Sequence, residues 1–325
     1  MKNKLLLTTA IASVAFAGSA FSETKIGGNL EQTFVATSET GTDSTRSFGA
    51  EHNISLKASK DLDNGLTAKY GTVLEDGVAD THYLTVGTDT VTFSVARDNG
   101  SNLSSSAIPY IGDSFTSFSG LGAVTGNTLS DADYHNKEHA RIDVKAAGGT
   151  ITVGYAPDMG TSRPSDSGSA EAGNSATGII YAGNLGVDGL NVRIGQQSAD
   201  GEGTNEDAKE KQYGASYNFG QFTVGVERQD TENAAAAASQ VELETTTIGA
   251  TFAANDNLTI GLYQIETEET IGTADSADDE EIKMVQVGYN MGGLGLSISY
   301  ADVENVSNVN GTDEEQVQIR TIQKF

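Results

Sequence analysis

The stretch YGASYNFGQFTVGVE, residues 213–227, contains the reading that decides the fold. Tyr213, Ala215, Tyr217 and Phe219 fall on one parity, Phe222, Val224 and Val226 continue it, and the short interruption around Gly220 separates the two runs. A period of two places successive side chains on opposite faces of a strand, and glycine tolerates the positive φ of a tight turn, so the segment reads as a β-hairpin. The second parity carries Ser216, Asn218, Thr223 and Glu227. One face is therefore apolar and aromatic, and the other suits water.

The same alternation recurs along the chain. It is seen at Ile54-Leu56-Ala58, Leu66-Ala68-Tyr70, Val91-Phe93-Val95, Ile151-Val153-Tyr155, Leu190-Val192-Ile194, Leu258-Ile260-Leu262 and Leu294-Leu296-Ile298-Tyr300, and it ends at Val317-Ile319-Thr321-Gln323-Phe325. Short turns rich in Gly, Asn and Asp lie at 61–65, 87–90, 147–150, 184–189, 219–221, 253–257 and 290–293. Longer polar connections at 37–45, 76–80, 98–138, 158–175, 199–209, 231–240, 268–281 and 304–313 alternate with them. About sixteen strands of about ten residues result, with every short turn on one rim, which is the pattern of a transmembrane antiparallel β-barrel. A soluble sandwich also alternates. Segregation of turn lengths by rim, aromatics near the short-turn ends (Phe219, Phe222, Phe252, Tyr289, Phe325) and charged residues on the second face favour the membrane.

Composition narrows the function. Lys2 and Lys4 precede an apolar run ending at Phe16, then Gly18, Ser19 and Ala20, the pattern of a secretory signal. Residues 1–22 are read as that signal and 23–325 as one barrel domain. There are no cysteines, so no disulfide supports the exported fold. A formal net charge of −26 excludes nucleic acid as a partner, since phosphate binding needs a basic surface.

Catalytic signatures are missing. The sequence His135-Asn136-Lys137-Glu138-His139 matches the H-x-x-E-H spacing of a zinc peptidase class, but that chemistry needs a helix and this segment runs into the strand Arg141–Lys145. It reads as a polar loop. His52 and His82 are taken as the strand histidines, and neither has an evident serine partner. No catalytic residue, metal ligand or enzymatic activity is expected. Asp275, Asp278, Asp279, Glu280 and Glu281 could attract Ca²⁺, yet their spacing matches no calcium motif and reads as a solvated charge run. No cofactor is expected otherwise. The alanine run 234–238 reads as a loop spacer.

The signal-like N-terminus, the final strand ending on Phe325 and the long third connection together resemble the Gram-negative general porins. Residues Ile108-Pro109-Tyr110-Ile111-Gly112-Asp113 resemble the tip of that family's constriction loop. The resemblance implies a sixteen-stranded homotrimer in the outer membrane, amid lipid and lipopolysaccharide, passing ions and small hydrophilic solutes. It implies that Phe325 acts as an assembly signal for the barrel-insertion machinery, and that Pro109, Tyr110, Gly112 and Asp113 narrow the pore. The apolar content of 98–138 (Ile108, Tyr110, Ile111, Phe115, Phe118, Leu121, Val124) agrees with an element lying inside the barrel; a surface loop over the mouth is the alternative.

Two features depart from the family pattern: the second long connection is short, and no dense arginine cluster is present. Strand parity turns Lys57, Lys69, Arg141, Lys145, Arg193 and Arg320 toward water, together with Glu31, Glu51, Glu75, Asp143 and Glu227. This mixed ladder can shape ion flow or serve as plain hydrated wall. With acidic loops outside and basic groups within, a mild cation preference is expected. Arg97 and Arg228 fall on the lipid parity and demand a rim position or a bulge. A substrate-selective porin and a structural or adhesive barrel remain the competing functions.

Overall fold

Alternating sequence and Gly-containing turns generate one continuous sheet in the computed structural model. It describes residues 23–325 apart from 42–43, 64, 77, 98–102, 104, 112–133, 135–137, 158–174, 202–203 and 277. The expected signal segment, residues 1–22, thus lies outside the described residues. The strands are β1 (Glu23–Glu39), β2 (Thr45–Asp61), β3 (Thr67–Glu75), β4 (Val78–Gly87), β5 (Val91–Arg97) and β6 (His139–Ala146). They continue as β7 (Gly149–Ala156), β8 (Ala176–Gly183), β9 (Leu190–Ala199), β10 (Ala208–Phe219), β11 (Phe222–Glu232) and β12 (Val241–Ala253). The last are β13 (Leu258–Ile271), β14 (Ala274–Asp275), β15 (Glu280–Asn290), β16 (Leu294–Glu304) and β17 (Glu314–Lys324). β14 is a two-residue leg folded back on the end of β13, and β13 pairs directly with β15. The other sixteen strands form the wall.

All pairings are antiparallel, and β1 pairs with β17 from Asn29↔Lys324 to Glu39↔Glu314, closing the sheet on itself. Closure leaves no open edge, the condition for strands to cross a bilayer with every backbone group paired. Short hairpins use positive φ where the sequence supplies it: Ala147 and Gly148 have φ of 50° and 71°, and Gly220 has 80°. The seam is closed at its end by Phe325, whose N–H donates to the Gly28 carbonyl and whose carbonyl accepts the Gly28 N–H, both at 3.0 Å. Its ring lies over Gly28, where any Cβ would collide with it.

Burial is inverted relative to a water-soluble protein. Val91, Phe93, Val95, Ile179, Val226 and Leu262 are exposed on the outer face, while Gln212, Gln286, Ser299, Gln316 and Gln318 are buried on the inner one. An apolar band outside and a polar lining inside fit lipid around and water within. Near the short turns Tyr217, Phe219, Phe222 and Phe252 stack in sequence on the outer face, with centroids 6.4, 5.8 and 4.8 Å apart. Such a row suits the membrane interface. Toward the long connections the outer face becomes charged. Arg228 pairs there with Asp230 at 2.8 Å and Glu244 at 2.5 Å, which resolves its lipid parity as a rim position.

Two local expectations are corrected. The second long connection does not run from 76 to 80: β4 already starts at Val78, and only 76–77 joins it to β3. Asp76 takes a φ of 46° in that turn, and a register shift at Val73/Leu74 absorbs the irregularity. His139, assigned by sequence to a loop, opens β6, so His52 and His82 are not the only strand histidines. Pairing of Ala96 with His139 starts the ladder two residues before the Arg141–Lys145 alternation.

Candidate pore interior

The inner face is built by parity and then furnished by the third long connection. Of that connection's described residues, Leu103, Ala107, Ile108 and Tyr134 are fully or almost fully buried against the wall. What seats them is a row of glycines, one per strand. A Cβ at Gly154 or Gly178 would collide with Tyr134, one at Gly195 would lie 2.6 Å from Leu103, and one at Gly214 would lie 2.7 Å from Ala107. At Gly225 and Gly249 it would meet Ile108, and at Gly288 it would meet Ile111. Strands with no side chain at these points leave a channel in the wall that the segment fills.

Hydrogen bonds hold the segment in that channel. The Ala107 N–H donates to Glu227 at 2.6 Å, and its carbonyl accepts from Ser216 Oγ at 2.7 Å and Asn191 Nδ2 at 2.8 Å. The Ser105 carbonyl accepts from Gln212 Nε2 at 2.8 Å, the Pro109 carbonyl from the Tyr263 hydroxyl at 2.9 Å, and the Ile111 N–H donates to Gln286 at 2.9 Å. Tyr110 stacks on Tyr263 with centroids 4.7 Å apart. Burial, and secondarily the charge of Glu227, push the Tyr110 phenol above its ordinary range, so this ring stays neutral. A segment whose backbone polar groups are met by wall side chains has exchanged water for protein at both ends. Of the four residues expected to narrow the pore, Pro109 and Tyr110 lie here; Gly112 and Asp113 lie outside the described residues.

The charges assigned to the water side by parity pair as follows. Lys57 faces Lys25 across β1–β2, and Glu31 faces Glu51; Lys69 faces Ser59 and Glu75 faces Asn53 across β2–β3. Arg141 is buried and bonds Asp143 at 2.9 Å, with Lys145 next on the same face opposite Thr150. Arg193 is opposite Gly214, within the field of Glu227. Arg320 grips Glu31 with two bonds of 2.5 Å, bridging the β1–β17 seam. A charged pair this well aligned is stronger than a neutral hydrogen bond.

The histidine motif is divided by the strand boundary. His139 is buried on the inner face, with Tyr134 edge-on at 5.3 Å, and His135 lies outside the described residues. His82 bonds Glu138 at 2.9 Å. The acidic run disperses: Asp278 receives Asn310, Glu281 lies 3.3 Å from Lys283, and Glu280 turns inward to accept the Ser307 N–H at 2.8 Å. Among the described residues no three His, Asp or Glu side chains meet in an arrangement able to hold a metal ion. The members of the glycine row share the inner parity, but each is the lone glycine of that parity in its strand, and only closure aligns them.

A family model described as Gram-negative porin matches residues 8–321. None of the curated proteins matches the chain by sequence. Among solved structures, outer-membrane expressed OmpT of Vibrio cholerae superposes with a TM-score of 0.63 at 17% identity, covering 93% of this chain and 97% of that one. Salmonella typhi OmpF, in complex with daunomycin, gives 0.66 at 13% identity, with 93% and 97% covered. A mutant porin of Rh. blastica gives 0.60 at 17% identity, with 93% and 100% covered. At such identities the likeness is one of fold.

Proposed function

Since the chain belongs to the Gram-negative porin family, we infer that its closed wall is a water-filled channel in the bacterial outer membrane, through which ions and small hydrophilic solutes diffuse passively. The observation that carries this is the division of faces: an exposed band of valines, isoleucines and phenylalanines outside, and buried glutamines, serines and threonines inside, beside one apolar patch at Ile265, Ile282, Met284 and Val303. Water can fill such an interior and lipid can wet such an exterior. No bound cofactor or conformational cycle enters this function, and catalysis forms no part of it.

Several finer features belong to the same reading. Residues 98–138 act as the constriction, supported by the anchoring of Ser105 to Ile111 on the inner wall. Pro109, Tyr110, Gly112 and Asp113 set the narrowest section, and Lys57, Lys69, Arg141, Lys145, Arg193, Arg320, Glu31 and Glu75 set the field that a permeating ion meets. Selectivity is mildly cationic, because acidic side chains dominate the long-connection mouth. The chain works as a homotrimer after removal of residues 1–22, and Phe325 is its assembly signal.

Single-channel recording in planar bilayers tests the proposal. Large, nearly ohmic steps in 1 M KCl, in groups of three, are the expected result. A salt gradient should give a reversal potential displaced toward the cation equilibrium value. Silence from folded protein would sink the channel and favour a structural barrel, and a clearly anionic reversal potential would overturn the selectivity.

A further inference from the structure

Its place along its strand gives each inner-face charge a nearer rim, and the two signs favour opposite strand ends. Lys25 lies near the Glu23 start of β1, Lys57 near the Asp61 end of β2, and Lys69 near the Thr67 start of β3. Lys145 precedes the Ala146 end of β6, Arg193 follows the Leu190 start of β9, and Lys324 ends β17. All of these ends lie on the short-turn rim. Inner-face carboxylates gather at the opposite ends of their strands: Glu39, Glu75, Glu210, Glu269, Glu280 and Glu314. Four carboxylates interrupt the basic half: Asp143, offset by Arg141 at 2.9 Å; Asp61 at the very end of β2; Glu227, on the row of Arg193; and Glu31, opposite Ile322 and held by Arg320.

Like charges also face each other directly across strands: Lys25↔Lys57 on the basic side, Glu39↔Glu314 on the acidic side. Directly opposed like charges destabilise a sheet. The arrangement concentrates one sign at each mouth.

Resting on the channel reading above, we propose that the lumen is an axially bipolar conductor that rectifies ion current, passing more when the long-connection side is positive. With that polarity cations enter through the acidic mouth and anions through the basic one, so both accumulate and conductance rises. With the opposite polarity each ion must enter through the zone that repels it, and the lumen is depleted. Short turns face the periplasm in barrels of this type, so the favoured direction brings cations in and lets anions out. The effect depends on screening: the Debye length is about 30 Å at 0.01 M and about 3 Å at 1 M. Rectification is therefore a low-salt property, with a current ratio at ±100 mV of about twofold or more in 10 mM KCl and near one in 1 M KCl.

The test is a current–voltage series on full-length mature protein between 10 mM and 1 M KCl. Orientation is assigned with an Ala237→Cys variant of this otherwise cysteine-free chain, modified by a thiol reagent added to one chamber; Ala237 is exposed in the connection after β11. Two triple variants, K25Q/K57Q/K69Q and E39Q/E75Q/E269Q, neutralise one mouth each, so failure of either to fold leaves the other as the probe. Rectification of the stated polarity, lost at 1 M and reduced toward one in the variants, supports the proposal. Symmetric currents at 10 mM, the reverse polarity, or rectification unchanged in a conducting variant would overturn it with the channel reading intact. Absence of current at every salt concentration would reject the channel reading and the bipolar lumen together.

Discussion

Replacing Gly249 by valine should detach the inner segment from the wall while leaving the wall itself intact. A Cβ at this position would lie 2.6 Å from Ile108 Cγ2 and 2.9 Å from Tyr263 Cδ1, and the two methyl groups add further volume. Overpacking a filled site costs about 1–3 kcal/mol. Tyr263 donates to the Pro109 carbonyl at 2.9 Å, so its displacement forfeits a hydrogen bond of about 1 kcal/mol as well. The clash with Ile108 and the lost hydrogen bond fall on the seated state alone. Together they make about 2–4 kcal/mol, which at about 1.4 kcal/mol per decade raises the detached population on the order of 10²-fold. Strand β12 suffers little, because valine suits an extended backbone and its ladder bonds to β11 and β13 are unaffected.

Hydrogen exchange reads this directly. The Ala107 and Ile111 N–H groups donate to Glu227 and Gln286 only while the segment is seated, so their exchange should accelerate by the same order of magnitude. Open-channel current noise should rise in parallel. The control is Gly49→Val, on the same inner face of β2, where an added Cβ meets nothing within 4 Å. Exchange at Ala107 and Ile111 that stays within twofold of the parent in Gly249→Val would refute the seating role of the glycine row.

Deleting Phe325 removes both backbone bonds to Gly28 and the ring that covers it, so assembly into outer membranes should fall severalfold while surviving channels keep their conductance; normal assembly would count against the role assigned to this residue. Arg320→Met leaves Glu31 without its bidentate partner in a half-enclosed site and should lower barrel stability by about 1–3 kcal/mol in urea titrations. The companion Glu31→Gln/Arg320→Met should recover part of that loss, and strict additivity of the two single changes would show that the seam pair contributes no coupling. Metal analysis of purified protein should return substoichiometric zinc, since His139 is buried on the inner face beside Tyr134; one zinc per chain would reinstate the histidine motif as a site.

Parity carries most of the fold because lipid and water impose opposite demands on alternate residues, which is why Tyr213, Tyr217, Val224 and Val226 all face outward. What parity omits is partnership. Arg320 and Glu31 are 289 residues apart, and only the closure register brings them to 2.5 Å. Glu227 and Ala107 are separated by 120 residues and meet because the chain after β5 turns back along the wall. The strand boundary at His139 was missed for a related reason: one histidine after a polar loop shows no period, and the ladder to Ala96 that recruits it is a long-range pairing.

The two faces of the wall answer to different pressures, and the inner one shows where they diverge. On the outer face each substitution is constrained by lipid, so Arg228 survives only at the rim with Asp230 and Glu244 beside it. On the inner face hydration tolerates charge of either sign at almost any height, so stability alone would intersperse them as it does at Arg141 and Asp143. Lys25 opposite Lys57 departs from that expectation, whereas Glu31, opposite Glu51, keeps to it through Arg320. Under the bipolar-lumen proposal, the gathering of Lys25, Lys57 and Lys69 at one set of strand ends and of Glu39, Glu269 and Glu314 at the other answers to what passes through the lumen.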